Sequence, residues 1–250
     1  MFVVKNILRA LKISKKLIML IYLMLIVFVL AEAKQNNSNN HHRDKRGYQL
    51  EEGFRDFYPL ESFAVYTITV CADLPVDKDP SCVFKKGEPG HVFLILSKKD
   101  TQSGKITERS FGFYPRVGVS CIIKQVRSRI LDNSNRQYDA SIQRQLTAAE
   151  FTLVLEQCKI LSAKKYNLKK YNCYDYVLGV YNAIPGVEKL PLTRVKFPFI
   201  FGRGGSPCGL YRDLKKLSFS NSEWAPFIRF GSFISPGDNK QQLITAIHKN

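Results

Sequence analysis

Two residues of this 250-residue chain have types and positions suited to covalent chemistry. Cys173 stands in KKYNCYDYVLGVYN, residues 169–182, between an asparagine and the first turn of an amphipathic helix. Asn172 is a strong N-cap type and Asp175 falls at the third helical position, where negative charge suits the helix dipole. Val177, Val180, Tyr181 and Ile184 form the apolar face that Pro185-Gly186 ends. Cys173 is thereby placed at the first helical position, where unpaired N–H groups lower a thiol's pKa and favour the nucleophilic thiolate. A core thiol and half of a disulfide are the competing readings. A nucleophile also needs a base. Of four histidines, His41 and His42 lie in a polar tail and His248 is two residues from the C-terminus, which leaves His91. Its alternative role is that of a hydrogen-bonded core histidine.

The elements that must position this pair are legible by pattern. Residues 63–71 (FAVYTITVC) are β-branched and aromatic and predict a strand. After a loop rich in proline and glycine, residues 91–96 (HVFLIL) describe a central strand, buried on both faces, that opens with the histidine. Residues 98–104 supply hairpin residues, residues 106–114 return antiparallel, and residues 119–126 (VSCIIKQV) predict a further strand. The polar stretch 127–140 reads as a loop. Thr147 and Glu150 fit a capping box, with Phe151, Val154, Leu155, Cys158 and Leu161 on one helical stripe. Cys158 on that stripe is a small buried hydrophobe. A short helix is expected around 210–217.

The order Gly90-His91-Val92-Phe93 opening a strand, Phe111-Gly112-Phe113-Tyr114-Pro115 ending the next, the Leu146-Thr147 helix start, and Tyr171-Asn172-Cys173-Tyr174-Asp175-Tyr176 opening another helix resembles the circularly permuted branch of the papain-like, NlpC-type thiol hydrolases. In the unpermuted branch the cysteine helix comes first. The resemblance spans roughly residues 63–217. It implies an α+β fold, a papain-like (permuted) antiparallel sheet with the nucleophile-bearing helix packed on it. It also implies hydrolysis or transfer at an amide or ester, with Cys173 attacking, His91 as general base and the Cys173 N–H donating to the oxyanion. If the hairpin is centred between residues 101 and 102, Gly112 lies opposite His91, and Ser110 and Tyr114 are the nearest side chains on that face. The family places a polar, histidine-orienting residue there. Ser110 is the candidate, a poor orienter that leaves a weak or degenerate enzyme open. Asn172 and Asp175 are helix-start supports.

Composition sets the surroundings. Residues 17–31 are an apolar run after Lys12, Lys15 and Lys16 and before Ala31-Glu32-Ala33, so residues 1–33 read as a secretory signal. Fifteen apolar residues fall short of the roughly 20 that span a bilayer. Residues 34–46, KQNNSNNHHRDKR, form an Asn-rich basic linker or pro-segment with nothing to bury, and residues 47–250 form the thiol hydrolase domain. The protein is expected to be secreted or periplasmic. The net charge is +17, of which +4 belongs to residues 1–33, leaving +13. That balance draws an exported protein toward an anionic polymer or membrane surface. Nucleic acid is not expected as a partner, since no zinc-finger spacing or RNP signature occurs. Six cysteines with no C-x-x-C argue against a zinc site, and neither metal nor cofactor is expected. In an oxidising compartment Cys71 and Cys82, flanking the loop ADLPVDKDPS, are the expected disulfide. The loop Gly202-Arg203-Gly204-Gly205-Ser206-Pro207 lacks the Lys-Ser/Thr ending of a P-loop and reads as a mobile, basic loop bordering a substrate groove. The leading expectation is an exported cysteine hydrolase acting on peptide or cell-wall peptide amides. An acyltransferase or lipid thioesterase of the same fold, and a catalytically inactive polyanion-binding module, are the alternatives.

Overall fold

The computed structural model describes residues 49–237 apart from 86, 118, 187, 199–201 and 221–222. The expected signal and linker segments lie outside these residues. Contacts divide the chain into one unit of Met1–Lys45 with Lys86–Glu88, and a second of Arg46–Lys85 with Pro89–Asn250. The second unit carries every element described below. It is mixed α+β, with an antiparallel sheet and four helices.

The short helix α1 (Leu50–Phe54) leads to β1 (Ala64–Asp73), β2 (His91–Asp100), β3 (Ile106–Pro115), β4 (Ser128–Asp132) and β5 (Gln137–Leu146). Helices α2 (Ala148–Ser162) and α3 (Cys173–Tyr181) follow, then β6 (Val195–Lys196), β7 (Arg203–Gly204), α4 (Pro207–Phe219) and β8 (Ile228–Ile234). The main sheet runs β4-β3-β2-β1-β5-β8, and β6 pairs with β7. β2 lies inside this sheet, which is why its sequence is apolar on both faces. Val92, Leu94 and Leu96 face the core shared with α2 and α3, whereas Phe93 and Ile95 join Cys71 in a smaller cluster beneath Tyr138.

Helix α2 starts as its pattern predicts. Glu150 N donates to Thr147 Oγ1 at 3.2 Å, and Thr147 N donates to Glu150 Oε2 at 2.8 Å. Phe113 of β3 fixes α3 to the sheet, because its ring packs against those of Tyr166, Tyr171 and Tyr176 at centroid distances of 5.5, 5.5 and 5.0 Å. Such pairs add about 0.5–1.5 kcal/mol each beyond the area they bury.

Four expectations are corrected. Residues 119–126 begin with a 3-10 turn, Val119–Ile122, and not a strand. The stretch 127–140 is not a loop but supplies β4 and the start of β5. Its polar composition misleads because Asp139, though buried, is satisfied: Oδ2 accepts from Leu74 N at 2.8 Å and Oδ1 from Lys78 N at 2.9 Å. The hairpin register also differs, since Phe93, not His91, pairs with Gly112. Strand β2 continues to Asp100, whose Oδ1 accepts from Gln102 N and Ser103 N in the turn that follows. Finally, Cys71 and Cys82 are not bridged, and all six thiols are free. Cys71 is buried under Phe93 within β1, while Cys82 Sγ donates to Phe84 O at 3.6 Å.

Candidate functional site

The start of α3 is a buried hydrogen-bonded node. Asn172 Oδ1 accepts from Tyr174 N at 2.9 Å and Asp175 N at 3.4 Å, and Asn172 N donates to Asp175 Oδ2 at 3.0 Å. The other end of the Asn172 amide donates to Leu168 O at 2.7 Å and to Gly205 O at 2.9 Å. One side chain thus caps the helix and ties down the glycine-rich loop. That loop, expected to be mobile, is packed here: Gly205 lies against the Tyr174 ring, with no room for a Cβ. Asp175 is further bound by Arg194, whose Nη2 reaches Oδ1 at 2.6 Å. Both helix-start residues therefore have the supporting role that their types imply.

Cys173 occupies the first helical position and is only 5% exposed. Burial pushes its thiol up to about 11, against the pull of the Val92 and Tyr174 N–H groups. This reverses the expected lowering, because desolvation of a buried thiolate outweighs two N–H groups and a helix dipole. The thiol is thus protonated at neutral pH. Tyr166 and Tyr114 both lie close enough to feel its charge.

The residue before Val92 is His91, also 5% exposed, at the first position of β2. Its ring stacks on Tyr114 at 4.2 Å between centroids. Its Nε2 lies over Gly112, where Asn133 Oδ1 also arrives from the turn between β4 and β5. A Cβ at Gly112 would sit 2.5 Å from Asn133 Oδ1 and closer still to His91 Nε2. The two atoms face each other without completing a hydrogen bond of standard geometry, and neither has another partner. The Asn133 side chain nonetheless raises the basicity of the ring. Burial, and then the Arg136 charge, dominate and hold the imidazole well below the usual histidine range. Asn133 is fixed in turn: its Nδ2 donates to Tyr114 Oη at 2.6 Å and its backbone N to Ser110 O at 2.8 Å. Arg136 donates to the same Tyr114 oxygen at 3.3 Å and is paired with Asp73, Nε to Oδ2 at 2.8 Å.

Ser110 does not take the orienting position. The register places it opposite Ile95, two pairs further along the hairpin, and its Oγ is buried without a hydrogen-bond partner. Its backbone carbonyl instead anchors Asn133, the residue that sequence reasoning missed. The available signal was Asp132-Asn133-Ser134-Asn135-Arg136, turn chemistry between two alternating segments. Among the described residues, no group of three His, Cys, Asp or Glu side chains converges as a metal site, and no helix is long and apolar enough to cross a membrane. No protein-family model, curated protein or solved structure matches this chain.

Proposed function

We propose that the chain is a thiol hydrolase of the permuted papain-like kind, in which Cys173 attacks an amide or ester carbonyl and His91 carries the proton. The observation that carries this reading is the meeting of His91 Nε2 and Asn133 Oδ1 over Gly112, on a residue whose neighbour Val92 lies close enough to the Cys173 thiol for its N–H to favour the thiolate. An amide oxygen facing Nε2 selects the tautomer protonated there and leaves Nδ1 basic.

Burial keeps the thiol protonated and the imidazole neutral, so the resting pair is uncharged. As Sγ bonds to the carbonyl carbon, its proton passes to Nδ1 and negative charge develops on the carbonyl oxygen. At the start of α3, the Asn172 and Asp175 side chains take the N–H groups of Asn172, Tyr174 and Asp175. The Cys173 N–H is left for that oxygen. Collapse of the tetrahedral centre breaks the bond to the leaving amine or alcohol, which takes the proton from Nδ1. Water then attacks the thioester carbon with the ring again as base, releasing the acid and restoring the thiol.

A peptide or cell-wall peptide amide, met outside the cytoplasm, is the substrate class of this reading. Acyl transfer and lipid thioester cleavage use the same steps with another acceptor or acyl chain. The test incubates the full chain with fluorogenic peptide amides, esters and thioesters. Turnover of at least one, lost in Cys173→Ala and His91→Ala with the circular dichroism spectrum retained, is expected. A folded protein that turns over none, and shows no Cys173 acyl adduct by mass spectrometry after rapid quenching, overturns the reading in favour of a binding module.

A further inference from the structure

An open cleft of about 500 Å³ lies between α4, the β6–β7 pair and the loop at Pro80. Its lining carries six cations: Arg194, Lys196, Arg203, Arg212, Lys215 and Lys216. The one carboxylate there, Asp213, accepts from Thr193 Oγ1 at 2.9 Å and lies within the field of Lys216 and Arg212, so it offsets only one of the six positive charges. Arg194 is committed to Asp175, but none of the other five cations forms an ion pair with a carboxylate among the described residues. Arg212 and Arg203 are instead braced by backbone carbonyls, Nε to Cys208 O at 3.1 Å and Nε to Arg194 O at 3.2 Å. A concave surface with excess positive charge concentrates anions.

Charge alone would suit any polyanion, but the rim adds a second feature. Phe219, at the last turn of α4 and bordering the cleft, is 78% exposed. Lys215 sits one turn earlier with its Nζ 5.0 Å from the Phe219 ring. Val83 and Val195 extend the apolar wall inward. Cations flanking an exposed aromatic at the edge of a helix match an anionic bilayer, whose headgroups take the charge and whose acyl boundary takes the ring. A hydrophilic polymer gives the ring no such environment.

We infer that this cleft and the exposed face of α4 dock the protein on an anionic phospholipid surface, with a headgroup phosphate among Arg203, Arg212, Lys215 and Lys216 and the Phe219 ring in the acyl boundary. This surface does not depend on the thiol chemistry.

The test is sedimentation of the full chain with vesicles of phosphatidylcholine alone, or with about one-third phosphatidylglycerol, at physiological salt. Comparing the two vesicle types isolates the charge-dependent part of binding from any contribution of the apolar N-terminal run. Wild type is expected to prefer the anionic vesicles. Joint substitution Arg212→Gln, Lys215→Gln and Lys216→Gln is expected to reduce that preference by roughly a hundredfold. Phe219→Ser, at an exposed position that folding does not need, is expected to weaken anionic-vesicle binding about tenfold. An unchanged preference in the triple variant, or its loss instead in a chain neutralised at Arg43, Lys45 and Arg46, overturns the proposal. So does release of wild type from the vesicles by soluble polyphosphate combined with no effect of Phe219→Ser, which would make the cleft a polyanion site.

Discussion

His91 Nε2 and Asn133 Oδ1 approach each other through the space left by the absent side chain of Gly112. The glycine is required there for room. A methyl group would have to push apart the two atoms that fix the tautomer of the proposed base. Gly112→Ala is therefore expected to lower kcat by about a hundredfold, the scale of an ångström-sized misplacement. Retained near-UV circular dichroism with unchanged kcat would show that the contact has no part in turnover.

Asn133→Ala removes the oxygen and is expected to slow turnover, while Asn133→Asp places a carboxylate against the ring and raises its pKa. The base must be neutral to accept a proton. In wild type the acid limb of kcat/KM is thus expected well below pH 6.5, following the lowered His91 pKa. In Asn133→Asp that limb should move to higher pH. Coincident profiles for the two proteins would remove Asn133 as the positioning residue.

The same buried imidazole makes stability depend on pH. Its folded-state pKa lies below the ordinary 6.5, so between the two values the unfolded chain binds more protons. Folding stability contributed by neutral His91 is present above about pH 6.5 and lost as pH falls toward the folded pKa, with a limiting slope of about 1.4 kcal/mol per pH unit. Urea melts across that window should show a shallower slope in His91→Gln. An equal slope in both proteins would assign the acid sensitivity to other groups.

Thiol labelling separates position from burial. With Cys173 pushed up to about 11 and Cys158 to about 12, iodoacetamide at mildly acidic pH should leave both unmodified. Cys82, the one cysteine that is not buried, should react first. Labelling of Cys173 should rise tenfold per pH unit up to near its pKa. Preferential labelling of Cys173 at pH 6 would mean that its thiolate is stabilised despite the burial.

Asn172→Ala loses the cap and leaves the carbonyls of Leu168 and Gly205 without their donor. The expected loss is about 2–4 kcal/mol, more than an ordinary exposed cap contributes. Guanidinium melts measure it directly, and a loss under about 0.5 kcal/mol would contradict the node.

The helix carrying Cys173 was readable because its signals are local: Asn172 and Asp175 lie three residues apart and the apolar stripe follows the helical period. The central strand opening with His91 was readable for the same reason. Asn133 was hidden because its place depends on pairing between distant segments, visible only as Asn133 N bonding to Ser110 O. The two-residue error in the β2–β3 register came from assigning Lys98 to Asp100 to a turn when they continue the strand, and it displaced the candidate orienter to Ser110. The sign of the Cys173 shift was missed because a helix dipole is legible in sequence, whereas enclosure by Tyr114, Tyr166 and Cys121 is assembled by the tertiary fold.

That enclosure also sets how the sulfur fares among oxidants. A thiolate attacks peroxides and exchanges with disulfides, and its sulfur is oxidised from sulfenic to sulfonic acid where the site is ionised and open to solvent. A protonated thiol on a residue that is only 5% exposed meets neither condition. In an oxidising compartment, Cys82 would be consumed first as mixed disulfide or sulfenate. Cys173 would stay reduced longer, and under the proposed mechanism its proton leaves only when a carbonyl is in place.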